Sequence, residues 1–449
     1  MSIRNTKDLT VGNLPKQIMF FSLPLMVTNV LQVMFNIADI AVVGRFAGDM
    51  ALGSVSSAAI VAIFFGGMIM GFGGGINVVV AYHYGTKNHD NIAKSVSTAF
   101  IISMIIGLTF FTTAQCVCHP LLTLIGTRAE LFDGAKLYLR IVFCGLPAGA
   151  IYNFGNAVYS AAGDTRKPFY ILTVSGIINI ILNLVFVIFF KMSVAGVALA
   201  TVISQYLSAG SVLIALIMSK QPHKLRLSAL KLDPGMLKTI LSLGLPYSAQ
   251  IGVFHIANMF FQYGVNSFDA SFVAGNGAAG NADAIVYNMM AAFYTACGSF
   301  MGQNFGAGIR RRIRDSYLWC LLFSAAVGQI AFFLFIIFGQ TFMSIFSSDP
   351  AVIRAGIYRL RYLGMVYGVT ALMDCTIAGA RALGHGIMPT IIVIMGSCVF
   401  RIIWIFTIFA RIHTPASLFM LYPVSWTITA IAELIYFAVI YRKEMSKIG

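Results

Sequence analysis

Charge is what this sequence has least of. Only 10% of its 449 residues are charged, and the acids, 15 against 30 basic residues, are the scarcer kind. Soluble domains carry about 25% charged residues, so a water-facing surface over most of the chain is excluded. Cysteine is sparse as well. The seven cysteines fall mostly inside apolar segments, which excludes a disulfide framework and leaves them as small core residues. Cys116, Cys118 and His119 form the one cluster with a ligand look, at a spacing unusual for a metal site. A phosphate-binding loop is also missing. Gly71-Phe72-Gly73-Gly74-Gly75 lacks the Lys and Ser/Thr that such a loop needs and lies inside an apolar run, so it reads as a surface for close helix packing. No pairing of nucleophile with base stands out, which argues against an enzyme. The net charge of +15 invites a nucleic-acid reading, but the basic residues sit in short loops between apolar runs, so no nucleic-acid partner is expected.

What the chain has is apolar length. With 59% hydrophobic residues it reads as a polytopic, all-α integral membrane protein. Segments of spanning length occur at 18–43, 51–79, 93–116, 135–158, 168–190, 194–218, 240–263, 271–300, 315–341, 356–380, 387–410 and 416–441, which makes 12 transmembrane helices. The first is too long and too polar on one face for a signal peptide and is read as retained. Most Lys and Arg residues, among them Lys220, Lys224, Arg226, Lys231, Lys238, Arg310, Arg311, Arg312 and Arg314, fall in the even-numbered connections and the tails. The positive-inside rule then puts both termini in the cytoplasm. Arg140 and Arg401 fall within spans.

The longest connection, 219–239, divides the chain into an N-lobe of residues 1–218, a cytoplasmic linker, and a C-lobe of residues 240–449. The halves echo each other. At an offset of 221, Gly163 to Pro168 meets Gly384 to Pro389, Gly85 meets Gly306, Arg140 meets Arg361 and Asn153 meets Asp374, while Pro24 meets Pro246 one residue further. Six helices per half make both lobes enter the membrane from the same side, so a pseudo-two-fold axis along the membrane normal relates them, with a central cleft between.

Polar residues inside the spans mark the chemistry. In the first span Asn29, Gln32, Asn36 and Asp39 follow at spacings of three and four on one helix face, which must look into protein or water. An acid at this depth is a functional-site hypothesis by default. Pro24 lies fifteen residues before it, where a bend is expected. Depth along the helices brings Asn179 and Asn183 of the fifth span and Thr201 of the sixth to the level of Asp39, and Gln205 and Ser208 extend the stripe. One carboxylate among neutral oxygens suits either a proton or a sodium ion. The second half carries Asp283, Asp374, Arg401 and Glu433 in its spans, with His255 as a minor candidate beside Asn258 and Gln262. Pairing of Arg401 with Asp283 or Asp374 is the expected structural arrangement, which leaves two carboxylates for a cationic substrate or a proton.

Pro24, Asp39, Val43-Gly44-Arg45, Gly163-Asp164-Thr165-Arg166-Lys167-Pro168, Gly302-Gln303-Asn304-Phe305-Gly306-Ala307 and Arg381-Ala382-Leu383-Gly384 together resemble the multidrug and toxic compound extrusion (MATE) family over the whole chain. The resemblance implies a bacterial inner-membrane protein whose two six-helix lobes form a V-shaped cleft. It also implies export of organic cations and other amphiphiles in exchange for H+ or Na+. Asp39 matches the coupling aspartate of the family's first helix, and Asn179, position 183 and Thr201 match its cation-site pattern. Asn183 stands where that pattern has an acid, which weakens the sodium reading and favours a proton. The acid that other branches carry in the seventh helix is absent here, where Phe254 and His255 stand.

A secondary-active multidrug antiporter is therefore the expected function, working by alternating access with a shift of the first helix about Pro24. No cofactor beyond the coupling ion is expected. The expected partners are small cationic or amphiphilic drugs and the lipid bilayer, and the expected state is a monomer. The alternative is a flippase for a lipid-linked saccharide, whose pyrophosphate would call for several buried arginines where only Arg401 lies well inside a span.

Overall fold

The computed structural model describes residues 8–448, and every regular element among them is a helix. In chain order these are α1 (Leu14–Phe46), α2 (Asp49–Gly85), α3 (His89–Leu124), α4 (Ala129–Phe143), α5 (Leu146–Ala161), α6 (Arg166–Leu184) and α7 (Ser193–Ile217), then α8 (Pro234–Val265), α9 (Ala270–Gly306), α10 (Arg310–Ser344), α11 (Pro350–Gly364), α12 (Tyr367–Ala382), α13 (Ile387–Val393), α14 (Phe400–Trp404) and α15 (Pro415–Lys447). Among the described residues ten helices, counting α6 and α13–α14 with their π-helical continuations, are long and apolar enough to cross a membrane. Two bent pairs, α4 with α5 at 45° and α11 with α12 at 49°, bring the number to 12 if each pair is one span.

Those two bends are where the spans differ from the apolar runs at 135–158 and 356–380. Gly145 and Pro147 interrupt the first, because Pro147 stands in the first turn of α5, where a missing N–H does no harm but the preceding helix cannot continue. The second break falls at Met365–Val366 without a proline, at the position that the repeat predicts. The repeat is visible elsewhere too. Gly163 and Gly384 both take positive φ, +80° and +89°, in the turns that precede Pro168 and Pro389. α1 runs as one helix through Pro24 and extends about a turn beyond 18–43 at both ends.

By contact the chain forms two compact units, one of Val27–Ile251 and the other of Leu9–Met26 with the chain from Gly252 onward. This grouping differs from a division at the linker, because α1 and α8 each change unit partway along. In the second unit the first turns of α1 bury Ile18, Phe21 and Leu25, with Phe21 edge-on to Phe300 at 5.4 Å. In the first unit the opening turns of α8 lie against the glycine run of α2. A Cβ on Gly75 would sit 2.5 Å from the Gly244 backbone, and one on Gly74 would sit 2.4 Å from the Tyr247 ring. The run therefore serves close packing, as the sequence indicates.

Candidate functional site

α6 starts where its sequence permits. Asp164 accepts from the backbone N–H groups of Arg166 and Lys167 at 3.2 and 3.4 Å, satisfying donors that a helix start leaves free. The helix then presents Asn179 and Asn183 four residues apart on one face, and just past Asn183 it widens into a π-helical turn, Val185–Phe189. π-Turns of this kind re-aim side chains and recur at functional sites.

That face meets α1. Asp39 is only 7% exposed, and Asn183 Nδ2 donates to its Oδ1 at 2.5 Å. Asn183 Nδ2 also lies 3.3 Å from Asn179 Oδ1. On α7, Thr201 Oγ1 stands 3.3 Å from Asp39 Oδ2 and 3.0 Å from its own helix carbonyl, Val197 O. Thus the four residues selected by depth converge within the first unit. Asn183 Oδ1 is buried without a hydrogen-bond partner, and no Lys, Arg or His forms a salt bridge with Asp39 among the described residues. Asn36 does not join them, being exposed, and Asn29 and Gln32 are half-buried on α1. Tyr138 of α4, which the sequence does not single out, lies within electrostatic reach of Asp39. It is a lone aromatic on an apolar face, and only the packing of α4 reveals its position.

The second unit corrects the expected ion pairing. Asp283 pairs with Arg359 of α11, at 2.8 Å from Nη2, and also accepts from Tyr367 at 2.7 Å. Arg359 further donates to Asn276. Arg401 pairs with neither Asp283 nor Asp374. Its fully buried guanidinium lies over Tyr422, Phe254 and Trp426 at 4.5, 5.0 and 5.5 Å, and it donates to Ser425 Oγ at 3.2 Å and Asn258 Oδ1 at 3.5 Å. Nor is it the sole deep arginine. Arg359 and Arg381 are buried too, whereas Arg140 is exposed. Arg359 falls near the start of the apolar run 356–380 and Arg381 just past its end, where hydropathy alone reads a basic residue as interfacial.

Asp374 of α12 and Glu433 of α15 interact electrostatically with each other and with Arg381. Asp374 Oδ2 and both Glu433 oxygens are buried without hydrogen-bond partners among the described residues. Tyr367, seven residues before Asp374 on α12, bonds to Asp283, and Tyr436, three residues after Glu433 on α15, bonds to His385, so neither tyrosine serves the nearby acid of its own helix. His255 is half-buried on α8, one turn before Asn258, and Gln262 bonds to Asn266 at the surface. Among the described residues no three His, Cys, Asp or Glu side chains gather as metal ligands; His119 of the Cys116–Cys118 cluster packs edge-on against Phe132.

Among the described residues an all-helical chain of up to twelve spans, with polar residues buried in each unit, has the build of a multi-pass membrane protein. The MatE family model matches it twice, over residues 24–185 and 246–407, and the chain belongs to that family, the multidrug and toxic compound extrusion transporters. The two matches begin and end 222 residues apart, which registers the internal repeat. The chain is 27% identical over 381 residues to the probable multidrug resistance protein YpnP of Bacillus subtilis, covering 84% of this chain and 85% of the relative. It is 25% identical over 340 residues to an FAD transporter of Shewanella oneidensis, covering 74% and 75%. An outward-facing structure of a multidrug resistance MATE family transporter aligns over 99% of this chain and 100% of that one, with a TM-score of 0.90 at 20% identity, and so shares its fold.

Proposed function

We propose that this chain is a secondary-active antiporter of the bacterial cytoplasmic membrane, exporting organic cations and other amphiphilic compounds in exchange for H+. Na+ is the alternative coupling ion. The observation that carries the reading is the Asp39 carboxylate, buried in α1 with amide and hydroxyl neighbours and no basic partner among the described residues. A carboxylate withdrawn from water is compensated by a proton or by a bound cation, so its occupancy can be traded against cargo.

One carboxylate without a second acid beside it favours the proton, because Asn183 adds no charge to hold a cation. Thr201 Oγ1 reaches both Val197 O at 3.0 Å and Asp39 Oδ2 at 3.3 Å, so its hydroxyl can donate to the ionised acid or turn to Val197 and accept from the protonated one. Sodium would use the same oxygens, but only with the Asn183 amide turned over, since Nδ2 now faces Asp39.

Cargo exchange would then follow from a shift of α1 near Pro24, two residues before the helix passes from one unit to the other. Both termini are cytoplasmic and the transporter is a monomer in this reading. A lipid-linked saccharide, the alternative cargo, calls for several free guanidinium groups. Of the three arginines buried among the described residues, Arg359 is tied to Asp283, and Arg381 lies in the field of Asp374 and Glu433. The relative described as an FAD transporter indicates that cargo in this family is not confined to drugs.

The test is efflux of a fluorescent cationic dye from proteoliposomes, with proton and sodium gradients imposed separately, on wild type and Asp39→Asn. Efflux driven by the proton gradient and lost in the variant is expected. Full efflux by a folded Asp39→Asn protein overturns the coupling role of Asp39.

A further inference from the structure

The second unit holds a group of buried donors that lacks an acceptor. Arg401 is fully buried, and while Nε and Nη1 reach Ser425 and Asn258, Nη2 has no partner among the described residues. Trp426, whose ring lies 5.5 Å from the same guanidinium, is 8% exposed and its indole Nε1 is likewise unpartnered. Both groups can only donate. No carboxylate forms a salt bridge with Arg401 among the described residues, because Asp283 is taken by Arg359 and Asp374 lies in the field of Arg381.

Three aromatic faces soften the cost of burying this cation, but they leave the directional need for an acceptor unmet. The helix is shaped around the residue as well. Arg401 stands on the five-residue α14, between the π-helical segments Ile394–Val399 and Ile405–Phe409. Each π-turn shifts the helical register, which rotates α14 relative to an unbroken helix.

We infer that Arg401 and Trp426, with Ser425 and Asn258 beside them, form a subsite for an anionic group, a carboxylate, sulfonate or phosphate, carried on an apolar or aromatic body that the Phe254, Tyr422 and Trp426 rings accommodate. The subsite extends the proposed function from cations to anionic and zwitterionic amphiphiles, and rests on that reading only for the statement that the ligand is cargo. An amphiphilic solute and the headgroup of an anionic lipid offer the same chemistry.

The experiment uses the full chain in nanodiscs and compares naphthalene sulfonate with its uncharged sulfonamide by calorimetric titration. In phosphatidylcholine discs the sulfonate is expected to bind at least about tenfold more tightly, the difference of one charge-assisted hydrogen bond. Arg401→Gln should bring the ratio to about one, Arg401→Lys should keep part of it, and Trp426→Phe, which retains the ring packing, should lower it about threefold. Repeating the titration with phosphatidylglycerol in the discs separates the sources. Weakened sulfonate binding in wild type but not in Arg401→Gln makes the lipid headgroup an occupant of the site, and unchanged binding makes the solute the occupant. Equal affinity for sulfonate and sulfonamide in wild type, or a ratio that survives in both Arg401→Gln and Trp426→Phe, overturns the subsite. Proton-driven efflux of the cationic dye is read separately, so failure here leaves the Asp39 reading standing, and failure there leaves this one.

Discussion

Two nitrogens of Arg359 converge on one oxygen of Asp283, Nη2 at 2.8 Å and Nε at 2.9 Å, while Tyr367 holds the other oxygen at 2.7 Å. This mutual compensation ties α9 to α11 and α12, and it makes Asp283 a structural residue. Asp283→Ala leaves the guanidinium uncompensated and should lower stability by about 3–5 kcal/mol. Replacing both partners, Asp283→Leu with Arg359→Met, should recover most of that loss. Thermal unfolding followed by size-exclusion chromatography compares the two, and a double variant no more stable than Asp283→Ala would contradict the account.

Position 183 sets the charge around Asp39. Asn183→Asp would place a second carboxylate where an amide now touches Asp39 at 2.5 Å. Two acids at that separation share a proton or capture a cation. A sodium-driven component of dye efflux, small or absent in wild type, is expected to grow in the variant. Identical sodium dependence in both proteins would show that Asn183 does not tune ion choice.

His223, in the connection between α7 and α8, gives the chain an acid-sensitive joint. Burial, with Lys167 nearby, pushes its imidazole down to about 4 from the model-peptide 6.5. The neutral ring bonds to Tyr84 through Nδ1 and to Ser219 through Nε2 at 3.3 Å, and its edge meets Tyr159. A depressed histidine means that the unfolded chain binds the extra proton. No penalty therefore exists above pH about 6.5, and stability falls as pH drops from there towards 4, by about 3 kcal/mol in all. His223→Gln should flatten this part of the pH–stability curve; an unchanged slope would place the acid sensitivity elsewhere.

Close approach at Gly75 predicts intolerance of a single methyl group. Gly75→Ala would set a Cβ 2.5 Å from the Gly244 backbone, where no side-chain rotation relieves the clash, and should cost about 1–3 kcal/mol. Gly66→Ala, on the same helix with open space around its Cβ, should leave the melting temperature unchanged or slightly raised. Equal melting temperatures for the two variants would refute the packing role.

Much of this protein is legible from hydropathy alone, because a bilayer admits only backbones that satisfy their own hydrogen bonds, so apolar runs of spanning length become helices. The repeat is legible for a related reason: Gly163 and Gly384 mark turns that other residues fill poorly, and so they keep their register. The meeting of Asp39, Asn179, Asn183 and Thr201 was readable because depth along a helix follows from residue number, at about 1.5 Å per residue. Rotation about the helix axes and the choice of neighbour do not follow from number. Tertiary structure alone decided that Arg359, not Arg401, takes Asp283, that Arg401 rests among aromatic rings, and that the opening turns of α1 and α8 pack with the opposite halves of the chain. Periodicity names the face a side chain shares with its own helix; what that face meets depends on bends and π-turns set by packing across the unit.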